Sequence, residues 1–211
     1  QLVINLPHNP KGCLISRKTQ QTLVDCCIEQ NAWLISDEVF RGLEHDPADQ
    51  LPPIASLYKK GISLGSIGKP FGLGGVRIGW IACQDNVILE KTIQIKRSLS
   101  ICTSRADEWL AKIVLNNTDY FLQPTREYLN NHIKLIIKGV EALSKLAVFN
   151  WVAPQAGCIA FPSISDAINI DRLANDFIHQ EKIMIIPGKC FSKKSQHQQH
   201  FRLGYRLKNF H

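Results

Sequence analysis

The chain has 211 residues, 45% hydrophobic and 20% charged, with a formal net charge of +7 at pH 7, a balance that suits a globular protein with one large or two small cores. No apolar run approaches the roughly 18 residues of a membrane helix and no charged-then-apolar start resembles a signal peptide, so the expected compartment is the cytoplasm and no membrane partner is expected. The basic residues are dispersed rather than blocked, which argues against nucleic acid and for small anions such as phosphate or carboxylate.

Taken in chain order, the first half alternates short apolar strands with amphipathic helices. "LVINL" (Leu2 to Leu6) reads as a strand that Gln1 enters with no approach segment, so the chain is expected to begin inside a larger domain. "PHNPKG" (Pro7 to Gly12) is a turn, because its prolines and glycine stop strand and helix alike. Ser16 caps a helix to about Gln30. "AWLIS" (Ala32 to Ser36), "GISLGSIG" (Gly61 to Gly68) and "VRIGWIAC" (Val76 to Cys83) are further strands. Asn86 to Leu99 and Ser104 to Asn116 are helices. This alternation argues an α/β layer with a largely parallel sheet.

The pattern changes near Asn116, where a boundary divides 1–116 from 117–211. A long helix from about Asp119 to Leu146 turns Leu129, Ile133, Ile136, Ile137 and Val140 to one face. Strands are expected at Ala147 to Val152, Gly157 to Ile164, Ile183 to Pro187 and Phe201 to Arg206, with a helix near Asp171 to Glu181, an α+β arrangement. "SKKSQHQQH" (Ser192 to His200) reads as a polar loop whose two histidines face water. Cys13, Cys26, Cys27, Cys83, Cys102, Cys158 and Cys190 contain no CxxC and no zinc-like pairing with histidine, so they read as reduced, mostly buried thiols and no metal is expected.

In an open α/β sheet, ligands gather at the carboxyl ends of the strands. Three loops leave such ends, at Pro7 to Gly12, Asp37 to Gly42 and Ser66 to Gly75. Asp37 stands at a strand tip, where a carboxylate needs a cation or several donors, or simply caps the residues that follow. Asn9 reads locally as an Asn-Pro turn. The set Ser66, Lys69 and Arg77 says more. The glycines around it let the backbone approach a ligand, a hydroxyl and a guanidinium suit a phosphate, and Lys69 is either a solvated loop lysine or an amine for an aldehyde. The glycine spacing matches neither a Walker loop nor a dinucleotide fingerprint.

"NLPHNPKG", "SDEVFRGLE", "SIGKPFGLGGVRIGW" and "FRLGYR" occur in the order and at the approximate spacing of the class I/II aminotransferases, the fold-type-I pyridoxal phosphate enzymes. The chain resembles that family over nearly its whole length, most of all the branch that includes capreomycidine synthase. The resemblance implies the C-terminal part of the cofactor-binding large domain over 1–116, then a small α+β domain. It implies pyridoxal 5'-phosphate as cofactor, amino-acid and keto-acid substrates, and a homodimer when full length. Lys69 would form the Schiff base and move protons, and Asp37 would pair with the pyridine nitrogen. Asn9 would bond the 3-hydroxyl oxygen, Ser66 and Arg77 would hold the phosphate, and Arg202 would clamp the substrate carboxylate.

Three departures from that pattern stand out. Phe40 replaces the usual tyrosine, Gly68 replaces the usual serine, and the family's upstream phosphate loop and stacking aromatic precede the part of the pattern found in this chain. Besides an aminotransferase, the same resemblance allows a lyase or cyclase on this cofactor, or a non-catalytic fragment or regulator-type sensor domain.

Overall fold

A computed structural model describes residues 1–144, 149–191 and 197–205. It divides the chain into two units, one of residues 1–7 and 14–126, the other of residues 8–13 and 127–211.

The first unit is built on a four-stranded sheet in the order β1 (Leu2–Asn5), β2 (Leu34–Asp37), β3 (Gly61–Ser66), β4 (Gly79–Cys83). The first three strands are parallel and β4 returns antiparallel to β3. Helix α1 (Arg17–Glu29) starts where expected, with Ser16 Oγ accepting the Thr19 amide at 3.0 Å and satisfying one of the orphan donors of the first turn. The short α2 (Ile54–Leu57) follows β2. Val24 and Cys27 of α1 and Ile54 of α2 bury against Leu34, and Leu2, Ile4 and Tyr58 pack on that cluster.

β4 starts later than the pattern suggests. Arg77 is left-handed, with φ of 57°, and a residue in that conformation cannot continue an extended strand. The chain therefore makes a 3₁₀ turn at Gly74–Val76 and becomes extended only at Gly79. Helices α3 (Asn86–Ser100) and α4 (Arg105–Asn116) follow, capped by Asp85 and Ser104. α3 buries none of its residues, and Ile93, Ile95 and Leu99 are exposed. In α4 the buried residues are Ala111 and Val114, whereas Trp109 faces outward.

The long helix α5 (Thr118–Ser144) carries the division between the units, and Pro124 lies two residues ahead of it. Leu129, Ile133 and Val140 are buried, on the face that their spacing predicts. Leu146 lies outside the described residues.

The second unit is α+β, with β5 (Phe149–Asn150) paired to β7 (Ser163–Ile164), and a sheet in the order β6 (Ile159–Ala160), β9 (Phe201–Gly204), β8 (Ile186–Pro187). The expected strand over Gly157 to Ile164 splits in two at Pro162, whose ring removes the ladder donor. The expected strand over Ile183 to Pro187 shrinks to two residues because the Ile183 amide is spent on Phe177 O, at 3.1 Å. α6 (Ile170–Asp176) runs on as a π-helical turn to Glu181. Ile164, Ile170, Ile185 and Phe201 form this unit's core. Ala147, Val148 and Arg206, which the sequence places in strands, lie outside the described residues. Among the described residues, no helix is long and apolar enough to cross a membrane and no group of three potential ligands could hold a metal ion.

Candidate active site

Four of the six residues singled out by the sequence belong to the first unit. β2 and β3 run parallel with Asp37 opposite Leu64, so Asp37 and the Ser66 to Lys69 turn both stand at the carboxyl ends of neighbouring strands. Asp37 is half-buried, and its Oδ1 accepts the Val39 amide at 3.1 Å. That bond closes the turn leading to Phe40, so the capping role and any role toward a ligand are shared by two oxygens of one carboxylate.

Ser66 ends β3. Its Oγ donates to Ile78 O at 3.2 Å and accepts the Gly68 amide at 3.0 Å, which pins the start of the turn. Lys69 follows on the exposed side, its Nζ 5.9 Å from the centroid of the Phe40 ring. The exposed Arg77 turns its Nη1 onto Gly74 O at 3.0 Å, and its left-handed backbone holds the 3₁₀ turn closed. One guanidinium donor of five is used there. A Cβ built on Gly68 would meet Ser66 Oγ at 3.2 Å and Gly74 Cα at 3.4 Å, and one on Gly75 would meet nothing within 4 Å. The turn is thus open on the Gly75 side and narrow at Gly68.

Asn9 and Arg202 belong to the second unit. Residues 8–13 form a closed turn in which Gly12 N donates to His8 O at 2.7 Å and Gly12 O accepts from both Gln155 and Ala156. Gly12 is left-handed and a Cβ there would sit 2.5 Å from Pro154 Cβ, so only glycine fits. Arg202, on β9, reaches Asn9 Oδ1 with Nη1 at 3.4 Å and stacks its guanidinium over Phe191, 5.4 Å from the ring centroid.

Two features escape a reading by motif. Glu38, the residue after β2, is buried while its neighbour Asp37 is half-buried, and its Oε1 accepts from Ile54 N and Ser63 Oγ at 3.0 and 2.8 Å; the alternation of burial carried on from the strand was the available signal. The second concerns the histidines of the polar tract. Expected to face water, His197 and His200 are instead half-buried and packed around Phe161. A polar stretch gives no hint of that packing. A cavity of about 370 Å³ in the first unit is lined by Glu38, Ser63, Ser66, Phe71, Trp80 and Arg126 among others. Lys69, Asp37 and Arg77 lie outside its wall, so the cavity does not mark the place of the exposed amine.

The family model "Aminotransferase class I and II" matches residues 1–208. The chain belongs to the class I and II aminotransferase family. It is 23% identical to capreomycidine synthase of Streptomyces vinaceus over 204 residues, which is 97% of this chain and 50% of that protein. In structure it is similar to a pyridoxal-phosphate-dependent aminotransferase from Streptococcus suis, with a TM-score of 0.86 and 24% identity over 98% of this chain and 52% of that one. It matches the pyridoxal-phosphate-dependent cyclase OrfR equally well in fold, with a TM-score of 0.86 and 20% identity over 98% of this chain and 54% of that one. The fold is that of the fold-type-I pyridoxal phosphate enzymes. The chain spans about half the length of the curated relatives it matches.

The cofactor of this aminotransferase family is pyridoxal 5'-phosphate. The donor set of the first unit fits such a group: an exposed ammonium for an aldehyde, a hydroxyl and a guanidinium beside a glycine turn for a phosphate, and a carboxylate for a ring nitrogen.

Proposed function

We propose that this aminotransferase-family chain is the part of a pyridoxal-phosphate-dependent aminotransferase that acts on an amino acid through Lys69. The observation that carries the reading is that the Asp37 carboxylate and the Ser66 to Lys69 turn stand at the carboxyl ends of adjacent parallel strands. Ligands bind at such strand ends in open α/β sheets.

When bound, pyridoxal phosphate supplies the electron sink that stabilises negative charge at the substrate Cα. Lys69 Nζ would hold the aldehyde carbon and would serve as the base and acid that carries a proton to and from the substrate Cα. Asp37 would keep a proton on the ring nitrogen by lending it a negative partner. Asn9 Nδ2 would donate to the ring 3-hydroxyl oxygen. Ser66 and Arg77 would fix the phosphate and with it the position of the ring. Arg202 would grip the α-carboxylate with two parallel N–H bonds, a geometry that lysine cannot copy. The expected homodimer and the cytoplasmic setting follow the family pattern and belong to this proposal.

Adding pyridoxal phosphate to the full-length protein should give a visible absorbance band that Lys69→Ala abolishes, and a full-length wild type without a band overturns the reading. A cyclase is the second reading, favoured by the fold match to OrfR. Product analysis with an amino acid, with and without a keto acid, separates the two: amino transfer requires the acceptor and ring closure does not.

A further inference from the structure

Behind Arg202 runs a continuous stack of rings within the second unit. The guanidinium lies over Phe191; Phe191 meets Phe161 edge-on at 5.7 Å between centroids, at an interplanar angle of 88°. Phe161 is buried and stacks on His200 at 5.0 Å and 26°. His200 in turn meets His197 at 5.2 Å, edge-on. The backbone ties the same pieces together. Gly188 N donates to His200 O at 2.6 Å, Phe191 N donates to Gly188 O at 2.9 Å, and a Cβ on Gly188 would collide with His197 O. The turn that presents Phe191 to Arg202 therefore rests on the His197 to His200 segment.

His200 Nδ1 and His197 Nδ1 are buried and have no hydrogen-bond partner among the described residues. A neutral imidazole tolerates this, because a bare lone pair is the lesser cost; an imidazolium would bury an N–H with no acceptor. The groups that act on His200 make matters worse. Lys11, from the His8–Cys13 turn, and His197, from its own segment, are both basic, and Lys11, Cys13, Trp151, Phe161 and Ser163 line with it a cavity of about 340 Å³. No carboxylate is among these neighbours.

We propose that His200 is a positioning residue for Arg202: as a neutral ring it completes the stack that holds the guanidinium against Phe191, and on protonation it leaves the stack and frees the guanidinium. Burial first, then His197 and Lys11, hold its pKa below the ordinary 6.5, so the transition falls on the acid side of that value. The consequence is that carboxylate capture weakens in acid, by about two- to fivefold, the value of one exposed cation–π contact. This consequence rests on the reading of Arg202 as the carboxylate clamp.

The test uses the full chain labelled with 15N-arginine, with the Arg202 Nε–H signal assigned by Arg202→Lys and pyruvate as the carboxylate probe. The expected result is an Arg202 signal that moves with pH in step with the His200 ring proton, and a pyruvate Kd that rises two- to fivefold over the same range. His200→Phe keeps a ring on Phe161 and removes the titration, so both pH dependences should vanish. In Phe161→Leu, His200 should still titrate while Arg202 no longer follows. An Arg202 signal that is flat in the wild type, or that titrates unchanged in either variant, overturns the proposal. An Arg202 signal that follows His200 but ignores pyruvate upholds the positioning role and removes the clamp reading instead.

Discussion

Lys69 Nζ stands 5.9 Å from the centroid of the Phe40 ring, and that ring is buried at the turn following Asp37. The position where the family usually carries a tyrosine is therefore next to the proposed reactive amine. A phenyl ring offers the ammonium its π-face, worth about 0.5 to 1 kcal/mol at an exposed site, but it offers no hydroxyl. Phe40→Tyr is expected to tighten pyridoxal phosphate binding about fivefold, the effect of one net hydrogen bond of about 1 kcal/mol. Absorbance titration of both proteins checks it, and equal Kd values would show that the added hydroxyl misses the cofactor.

A Cβ placed on Gly68 would stand 3.2 Å from Ser66 Oγ and 3.4 Å from Gly74 Cα, so a side chain there needs a shift of a few tenths of an ångström. Gly68→Ser should leave folding stability within about 0.5 kcal/mol of the wild type, since the lost space is offset by a less flexible unfolded chain. It also adds a hydroxyl beside the proposed phosphate cradle. Inorganic phosphate should then compete more effectively for pyridoxal phosphate binding, as equilibrium dialysis would measure.

Gly12 closes the turn that carries Asn9, with φ of 66° and Ala156 O and Ile159 O each 3.0 Å from a Cβ placed there. Gly12→Ala should cost about 1 to 3 kcal/mol, the cost of a left-handed residue other than glycine. Because Asn9 Oδ1 receives Arg202 Nη1, the same change should weaken pyruvate binding. Urea denaturation and a pyruvate titration read the two effects separately.

Glu44 is 4% exposed, and its Oε2 accepts the Gly42 amide at 2.8 Å. Burial pushes its pKa above the ordinary 4.5, against the pull of those backbone donors and of Arg41 and Arg126. The folded state therefore holds this proton more tightly than the unfolded chain, and stability falls as pH rises from 4.5 through the raised folded value. Glu44→Gln keeps the acceptor and removes the charge. It should raise the melting temperature at neutral pH, with the gain shrinking as pH falls toward 4.5 and below. A gain that grew in acid would show the carboxylate to be stabilised in place.

Much of the architecture was legible because it rests on local chemistry. Ser16, Asp85 and Ser104 cap helices by accepting the amide three residues on, and the 3.6-residue spacing of Leu129, Ile133 and Val140 marks a buried face wherever the helix packs. The candidate residues were legible for another reason: motif order and a family likeness, not local pattern, raised Lys69 above an ordinary loop lysine.

What the sequence by itself determined is the strand and helix alternation of the first half, the long helix after it, the family and the turn chemistry that keeps Gly12 and the Ser66 to Lys69 stretch from being strand or helix. Tertiary structure decided the rest. Arg77 turned left-handed and delayed β4; Glu38 was buried against Ser63 while its neighbour Asp37 was left at the strand end; and two histidines in a polar tract were drawn into a ring stack behind Arg202. The physical reason is the same in each case. Which face of a residue meets water, and which ring meets which, depends on partners distant in sequence, and no local period or propensity carries that information.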